Sequence, residues 1–447
     1  STGTDEHGGK IAEKADEAKL GPQEFADQMS EKFKELVKQL NVSSDRFVRT
    51  TDPAHEKTAQ LIWSKLAQYI QKGRYTGWYC TGDEAFFPEQ IVQANKGVCP
   101  QHNRPYEKIE EENYFFKLSA FAPQLKNLID SDELKIFPVS RKREILFVIN
   151  SGLEDISVSR PKDKIGWGIP VPGDESQVMY VWFEALMNYI TVLGYPDSED
   201  FKNFWPADVQ VIGKDILRFH AAIWPAILMG LGLPPPKSLY VHGFVNVDGK
   251  KMSKTLGNVI SPKEIVDKFG ADTFRYFFTR HIPSTGDGDF AWQRLESVYN
   301  DELADQLGNA VSRTAALIAK HQNGIIGDIP APDHDVEPYQ RAIEEYRFDR
   351  ALDGVWEQVK GLNQYIDQTK PWEIAKTGDQ NHLREVLAYQ AASLLEIASL
   401  LAPFMPETAA KIYDVFGSGM LKALPGPLFP KEVQSQKVES PKSENLE

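Results

Sequence analysis

Cysteine is scarce in this chain, with two in 447 residues, and so few exclude a disulfide framework. Cys80 and Cys99 are therefore expected to be free thiols of a reducing, cytoplasmic protein. Long apolar runs are missing too, and no charged, apolar, small-residue leader opens the chain, so neither a membrane span nor a secretion signal is expected. No internal repeat is visible. Positive charge is in deficit: Lys and Arg number 50 against 64 Asp and Glu, a formal net charge of −14. That balance argues against indiscriminate coating of nucleic acid, although a local basic patch can still bind RNA. What is present is ordinary for a soluble globular chain, 41% hydrophobic and 26% charged, and its length allows two or three domains with substantial cores.

The most informative stretch is Lys250-Lys251-Met252-Ser253-Lys254-Thr255-Leu256-Gly257-Asn258. Upstream, Leu239 to Val247 reads as a strand ending in the turn Asp248-Gly249. Downstream, Ser261-Pro262-Lys263-Glu264 reads as an N-cap, a first-turn proline and a capping-box glutamate. Three lysines on one loop repel each other and gain nothing from burial. A solvated basic turn is the plain reading. A bound triphosphate is the functional one, because it would neutralise the loop where charge builds up during displacement at phosphorus.

Along the rest of the chain, helices are expected from Pro22, with Phe25, Met29, Phe33, Leu36, Val37 and Leu40 on one face, and from Ala54 to Gln71. Gly73 to Glu112 is short-range, Gly/Pro-punctuated and carries both cysteines, so it reads as a small insertion. Val178 to Leu193 reads as a strand passing into a helix, Val209 to Gly213 as a buried strand, and Asp215 as a cap for the helix after it. Alternation of strand and helix from 165 to 275 implies a parallel sheet. From about Asp301 the strands stop, and helical patterns over 300–322, 337–367 and 382–416 imply a bundle.

Several motifs in one order now carry a resemblance. Lys251-Met252-Ser253-Lys254-Thr255 is similar to the K-M-S-K-S signature of class I aminoacyl-tRNA synthetases. With Thr2-Gly3-Thr4-Asp5-Glu6-His7-Gly8, Glu111 to Phe116, Val181-Trp182-Phe183-Glu184-Ala185, Gly213-Lys214-Asp215, Phe219-His220 and Lys370-Pro371-Trp372, the chain resembles the methionyl-tRNA synthetase family over nearly its whole length. The resemblance implies an α/β fold: a Rossmann-like parallel-sheet catalytic domain with a knuckle-bearing insertion, then an all-α anticodon-binding bundle. The expected divisions are 1–72 and 165–245 for the catalytic domain, 73–164 for the insertion, 246–299 for the lysine-loop and stem-contact region, 300–425 for the bundle and 426–447 for a disordered tail.

The implied activity is methionine–tRNA ligation: ATP and magnesium support formation of methionyl-adenylate, and the acyl group passes to tRNA(Met). Trp182, Ala185 and Tyr189 share one helical face, and His220, Ile223 and Trp224 another. Either stripe alone reads as core packing, whereas together they can wall a slot for a polarisable thioether. The resemblance implies that slot, with Asp5 on the substrate ammonium. It also implies ATP contacts from Gly213, Asp215, Gly243, Lys251, Ser253 and Lys254, with Lys251 and Lys254 acting catalytically on the phosphates. Asn309, Arg313 and Trp372 are implied to read the anticodon; their plain reading is a surface pair and a buried anchor. Cys80, Asp83, Cys99 and His102 form either a zinc knuckle or a metal-free loop descended from one.

One departure stands out: no H-I-G-H string occurs anywhere. By the resemblance, Thr2 lies at the end of the second strand, so the first strand and its helix are expected to precede Ser1. A non-catalytic tRNA-binding fragment and a different class I synthetase are the competing readings. A monomer is expected.

Overall fold

The computed structural model describes residues 1–82, 85–87, 89–252, 257–327, 335–424 and 426–431. The chain divides into two compact units: residues 1–35 with 43–241, and residues 36–42 with 242–447.

The first unit carries a short central strand that is buried almost along its whole length. Ser238–His242 lies between Gln210–Gly213 and Lys135–Phe137, running parallel to the latter. Its first four residues are all buried, as expected of a strand covered on both faces rather than one with alternating sides. Thr2–Thr4 pairs in parallel with Phe47–Arg49. The core joins these strands to flanking helices through Trp224, Phe183, Phe116, Ile62 and Leu66, each essentially without solvent contact. Burying each such side chain contributes about 1.5–3 kcal/mol.

Tertiary pairing redraws several local expectations. The helix beginning at Pro53 stops at Lys65 rather than Gln71, because Ile70–Cys80 is taken up by a long antiparallel pairing with Glu107–Phe116. Between 165 and 275 the sheet is not simply parallel: Asp174–Met179 pairs antiparallel with both Ser159–Pro161 and Pro170–Val171. Asp215 does not cap a helix; it lies exposed inside the tight turn Lys214–Ile216. The next helix contains a widened π turn, Phe219–Ile223, just before Pro225, which has no N–H to return to the preceding turn.

In the second unit, Val245–Val247 pairs antiparallel with Lys250–Lys251 and parallel with Gly288–Phe290. Asp248 and Gly249, at φ 49° and 72°, make the left-handed two-residue turn that such a hairpin requires. The expected single strand from Leu239 to Val247 is broken at Gly243. A Cβ there would lie 2.1 Å from the Gly286 carbonyl oxygen, so only glycine permits this backbone approach. Ser261 precedes the helix Pro262–Phe269, but its side chain makes no cap; the Glu264 amide turns to the Ser261 carbonyl at 3.1 Å. The expected capping box is therefore not formed.

The bundle comprises Trp292–Val298, continuing through widened turns over Tyr299–Gly308 into Asn309–Gln322, then Glu337–Glu344, Phe348–Thr369, Pro371–Thr377, Gln380–Leu401 and Pro406–Phe416. Trp356 and Tyr276 meet at its centre, ring centroids 4.4 Å apart. A disordered tail from residue 426 does not hold for its first residues: Phe429 is buried, and the Tyr299 hydroxyl donates to the Pro430 carbonyl at 3.0 Å. The remainder, 432–447, lies outside the described residues.

Two side chains of the helix Ala271–Arg280 tie this unit together. The Arg275 guanidinium donates to the carbonyls of Leu40, Asn41, Pro403 and Phe404. Buried Asp272 accepts the Thr408 amide at 2.6 Å and so caps Pro406–Phe416 from another helix. Asp272→Ala removes this cap and is expected to cost about 2 kcal/mol. The check is a fall in the urea midpoint of this unit's unfolding, with the first unit's transition unchanged.

Candidate active site

A cleft of about 820 Å³ opens in the first unit between the strands Thr2–Thr4 and Gln210–Gly213. Asp5, Trp182, Ala185, Tyr189 and His220 all line it. Ile223 and Trp224 do not; they are buried behind it, with Trp224 at 6.0 Å from the Tyr189 ring between centroids. Trp182 and Tyr189 give the cleft its aromatic wall, and Trp182 is backed by Phe219, stacked on it at 4.6 Å.

The polar edge of the cleft has a defined protonation pattern. His220 Nδ1 faces the Ile216 carbonyl at 3.0 Å, and a carbonyl only accepts, so Nδ1 carries the proton. Nε2 is left as an acceptor for the Tyr189 hydroxyl at 2.9 Å. Burial lowers the His220 pKa to about 4, against a smaller raising effect of the Ile216 hydrogen bond. Burial likewise pushes the Tyr189 hydroxyl up to about 12. Both groups are thus neutral near pH 7, and the pair presents dipoles rather than charge.

The loop bearing Asp5 is clamped from behind. Glu6 is held by Arg49 at 2.8 and 2.9 Å, and its amide by Thr50 Oγ1 at 2.9 Å. Trp167 Nε1 donates to the Glu6 carbonyl at 2.7 Å. His7 Nδ1 meets Glu184 Oε1 at 2.8 Å, and His55 Nε2 meets Glu184 Oε2 at 2.9 Å. Burial alone would lower the His7 pKa, but hydrogen bonds and charge from Glu184 and Glu56 outweigh it and raise the value to about 9. Burial would raise the Glu184 pKa; the two imidazoles reverse that and leave it lowered. Sequence reasoning assigned none of these residues a role. The available signal was Glu184 itself, an acid in the otherwise apolar stretch Val181 to Met187, where burial demands partners.

Four of the six residues expected to contact ATP lie among the described residues. Gly213 and Asp215 stand at the end of a first-unit strand. Gly243 and Lys251 belong to the second unit, where exposed Lys251 places Nζ 5.6 Å from the Phe244 ring centroid. Ser253 and Lys254 lie outside the described residues.

At the tip of the long hairpin, Cys80, Cys99 and His102 hold ligand atoms within 4.8 Å of one another. Gly82 is packed so closely that a Cβ would lie 2.4 Å from the His102 ring. Two buried thiols beside an imidazole are a donor set that suits tetrahedral zinc. Asp83, the fourth expected ligand, lies outside the described residues.

In the bundle, the Arg313 guanidinium sits over the Trp372 ring at 5.4 Å and pairs with Asp367 at 3.1 Å. Asn309 is exposed one turn before Arg313, with its amide 3.5 Å from Asp305. Asn309 and Arg313 thus lie one turn apart on the helix Asn309–Gln322, and Trp372, from the helix Pro371–Thr377, meets Arg313 across that face.

Residues 1–108 and 102–315 match the family model described as tRNA synthetases class I (M), and residues 333–444 match the anticodon-binding domain of tRNA ligase. A methionine–tRNA ligase of Caldanaerobacter subterraneus subsp. tengcongensis is 44% identical over 93% of this chain and 67% of the relative. One of Clostridium tetani is 43% identical over 92% of this chain and 66% of its own length. The chain therefore spans about two thirds of these relatives. The Mycobacterium tuberculosis methionyl-tRNA synthetase in complex with methionyl-adenylate superposes with a TM-score of 0.90 at 34% identity, covering 96% of this chain and 91% of that one. By its family match over more than half its length, its relatives and its fold, the chain belongs to the methionine branch of the class I tRNA synthetases.

Proposed function

We propose that the chain activates methionine with ATP to methionyl-adenylate and transfers the methionyl group to tRNA(Met). The observation that carries this reading is the cleft itself. An aromatic wall and a neutral Tyr189–His220 edge stand on the same opening as the Asp5 carboxylate. A thioether is polarisable and uncharged, so it favours aromatic faces and neutral dipoles over ionic groups. Asp5 supplies the opposite charge for the substrate ammonium.

In this reading the methionine carboxylate oxygen attacks the α-phosphorus of ATP, the bond to the β-phosphate oxygen breaks, and pyrophosphate leaves. A terminal ribose hydroxyl of tRNA then attacks the acyl carbon and releases AMP. Neither step needs a side-chain nucleophile; positioning and charge stabilisation suffice. Gly213, Asp215 and Gly243 are assigned to the nucleoside, and Lys251, Ser253 and Lys254 to the phosphates of magnesium-bound ATP. Cys80, Cys99 and His102 are assigned to zinc, which would cross-link the hairpin tip rather than take part in the reaction. Asn309, Arg313 and Trp372 are assigned to the anticodon: the first two offer hydrogen bonds to base edges, and the indole offers a stacking surface for an unpaired base.

Among the amino acids, methionine is expected to drive pyrophosphate exchange; activity with another amino acid in its place overturns the proposal. The pH dependence follows from the polar edge. The folded-state pKa of His220 is depressed to about 4 and that of Tyr189 raised to about 12, so both stay neutral between. The methionine KM should therefore be flat from about pH 6 to 8 and rise only as pH falls towards 4 and the imidazole gains charge. A KM that rises on crossing pH 6.5 would show that His220 titrates as an exposed histidine does.

Trp372→Ala should raise the KM for tRNA by roughly tenfold or more, the loss of about 1–3 kcal/mol of base stacking, and leave pyrophosphate exchange within twofold. Equal losses in both assays would make Trp372 a packing residue.

A further inference from the structure

Behind the cleft, two separate elements converge on one carboxylate that the proposed reaction does not use. Glu184 has no solvent exposure. Its two oxygens meet His7 from the loop after Thr2–Thr4, and His55 from the helix Pro53–Lys65. His55 Nδ1 in turn reaches Thr191 Oγ1 at 2.8 Å, returning the chain of contacts to the segment after Tyr189. We propose that Glu184 is a positioning residue for amino-acid recognition: through His7 it locks the Asp5 loop to the segment carrying Trp182, Ala185 and Tyr189, and His55, braced on Thr191, holds the carboxylate in the orientation that His7 requires. The inference rests on the assignment of Asp5 to the substrate ammonium made above.

The placement of residues along the chain carries the argument. Asp5 is exposed to the cleft, while Glu6, His7 and Gly8 are buried. Glu6 is gripped by Arg49 and His7 by Glu184, so the peptide is fixed directly after Asp5 and its carboxylate has little freedom to swing. Glu184 is adjacent to Ala185, two residues from Trp182 and five from Tyr189. One carboxylate therefore ties the charged side of the cleft to its aromatic side. An apolar contact could supply comparable adhesion, but not this directionality. Charge-assisted bonds to two imidazoles fix both distance and angle, which matters when an ammonium and a thioether of one small ligand must be met together.

The test measures binding of two ligands to the full chain: methionine, and 4-(methylthio)butanoate, which keeps thioether and carboxylate but lacks the ammonium. Asp5→Asn should bring the two affinities together, establishing which contact reads the ammonium. Glu184→Gln preserves shape and removes the charge. It should cut the preference for methionine by roughly tenfold while changing affinity for the analogue less than twofold. Thr191→Val, a milder change at the far end of the relay, should reduce the preference by roughly threefold in the same direction. A general loosening of the fold would weaken both ligands alike, so parallel losses in Glu184→Gln, or no change in either, overturn the proposal. If Glu184→Gln does not fold, Thr191→Val decides: a selective loss supports the relay, and a parallel loss or none overturns it. An Asp5→Asn variant that keeps the full preference overturns the ammonium assignment and the relay built on it.

Discussion

A carboxylate cut off from water must find its balance of charge inside the protein, and Glu184 finds it between two imidazoles. Much of the first unit follows from that demand. His7 can reach the carboxylate only if the chain after Thr2–Thr4 turns inward. His55 can reach it only if the helix Pro53–Lys65 packs against the segment around residue 190. The raised pKa of His7, about 9, is the electrostatic mark of the same contact, a cation kept charged by the acid it serves. Burial and pairing act against each other on both partners, and pairing wins on both.

Tyr189 and His220 show the opposite solution to the same problem. Among the described residues no ionised group offsets their burial, so each stays neutral; the Tyr189 hydroxyl donates to His220 Nε2, and His220 Nδ1 donates to the Ile216 carbonyl. The cleft thus has a neutral side at Tyr189 and His220 and a carboxylate at Asp5, and the proposed fit to an uncharged side chain on a charged backbone rests on that asymmetry. In the second unit, Arg313 over Trp372 uses a third arrangement. A guanidinium placed across an aromatic face is held in position by the ring and, here, by one edge donor paired with Asp367.

Glycines mark where backbone must approach backbone or a ring. Gly243 passes too close to Gly286 to carry a side chain, and Gly82 too close to the His102 ring. Gly243 was assigned to the nucleotide by family resemblance alone. The structure supplies a separate reason for glycine there, so its presence in the sequence does not by itself argue for a ligand.

Motif order along the chain determined the family, and local periodicity determined the bundle and most of its helices, because an amphipathic helix writes its buried face into its spacing. The Asp248-Gly249 turn was equally legible, since two consecutive left-handed residues demand that chemistry. Other features were decided only by distant partners. The helix after Pro53 ends early because Ile70 onward pairs with a strand whose last residue is Phe116. Phe429 is ordered by Tyr299, far away in sequence. Glu184 shows the limit most sharply: its letter was visible inside a quoted motif, but the two histidines that give it meaning lie 177 and 129 residues away. A single sequence records which groups need partners; only folding brings the partners within bonding distance.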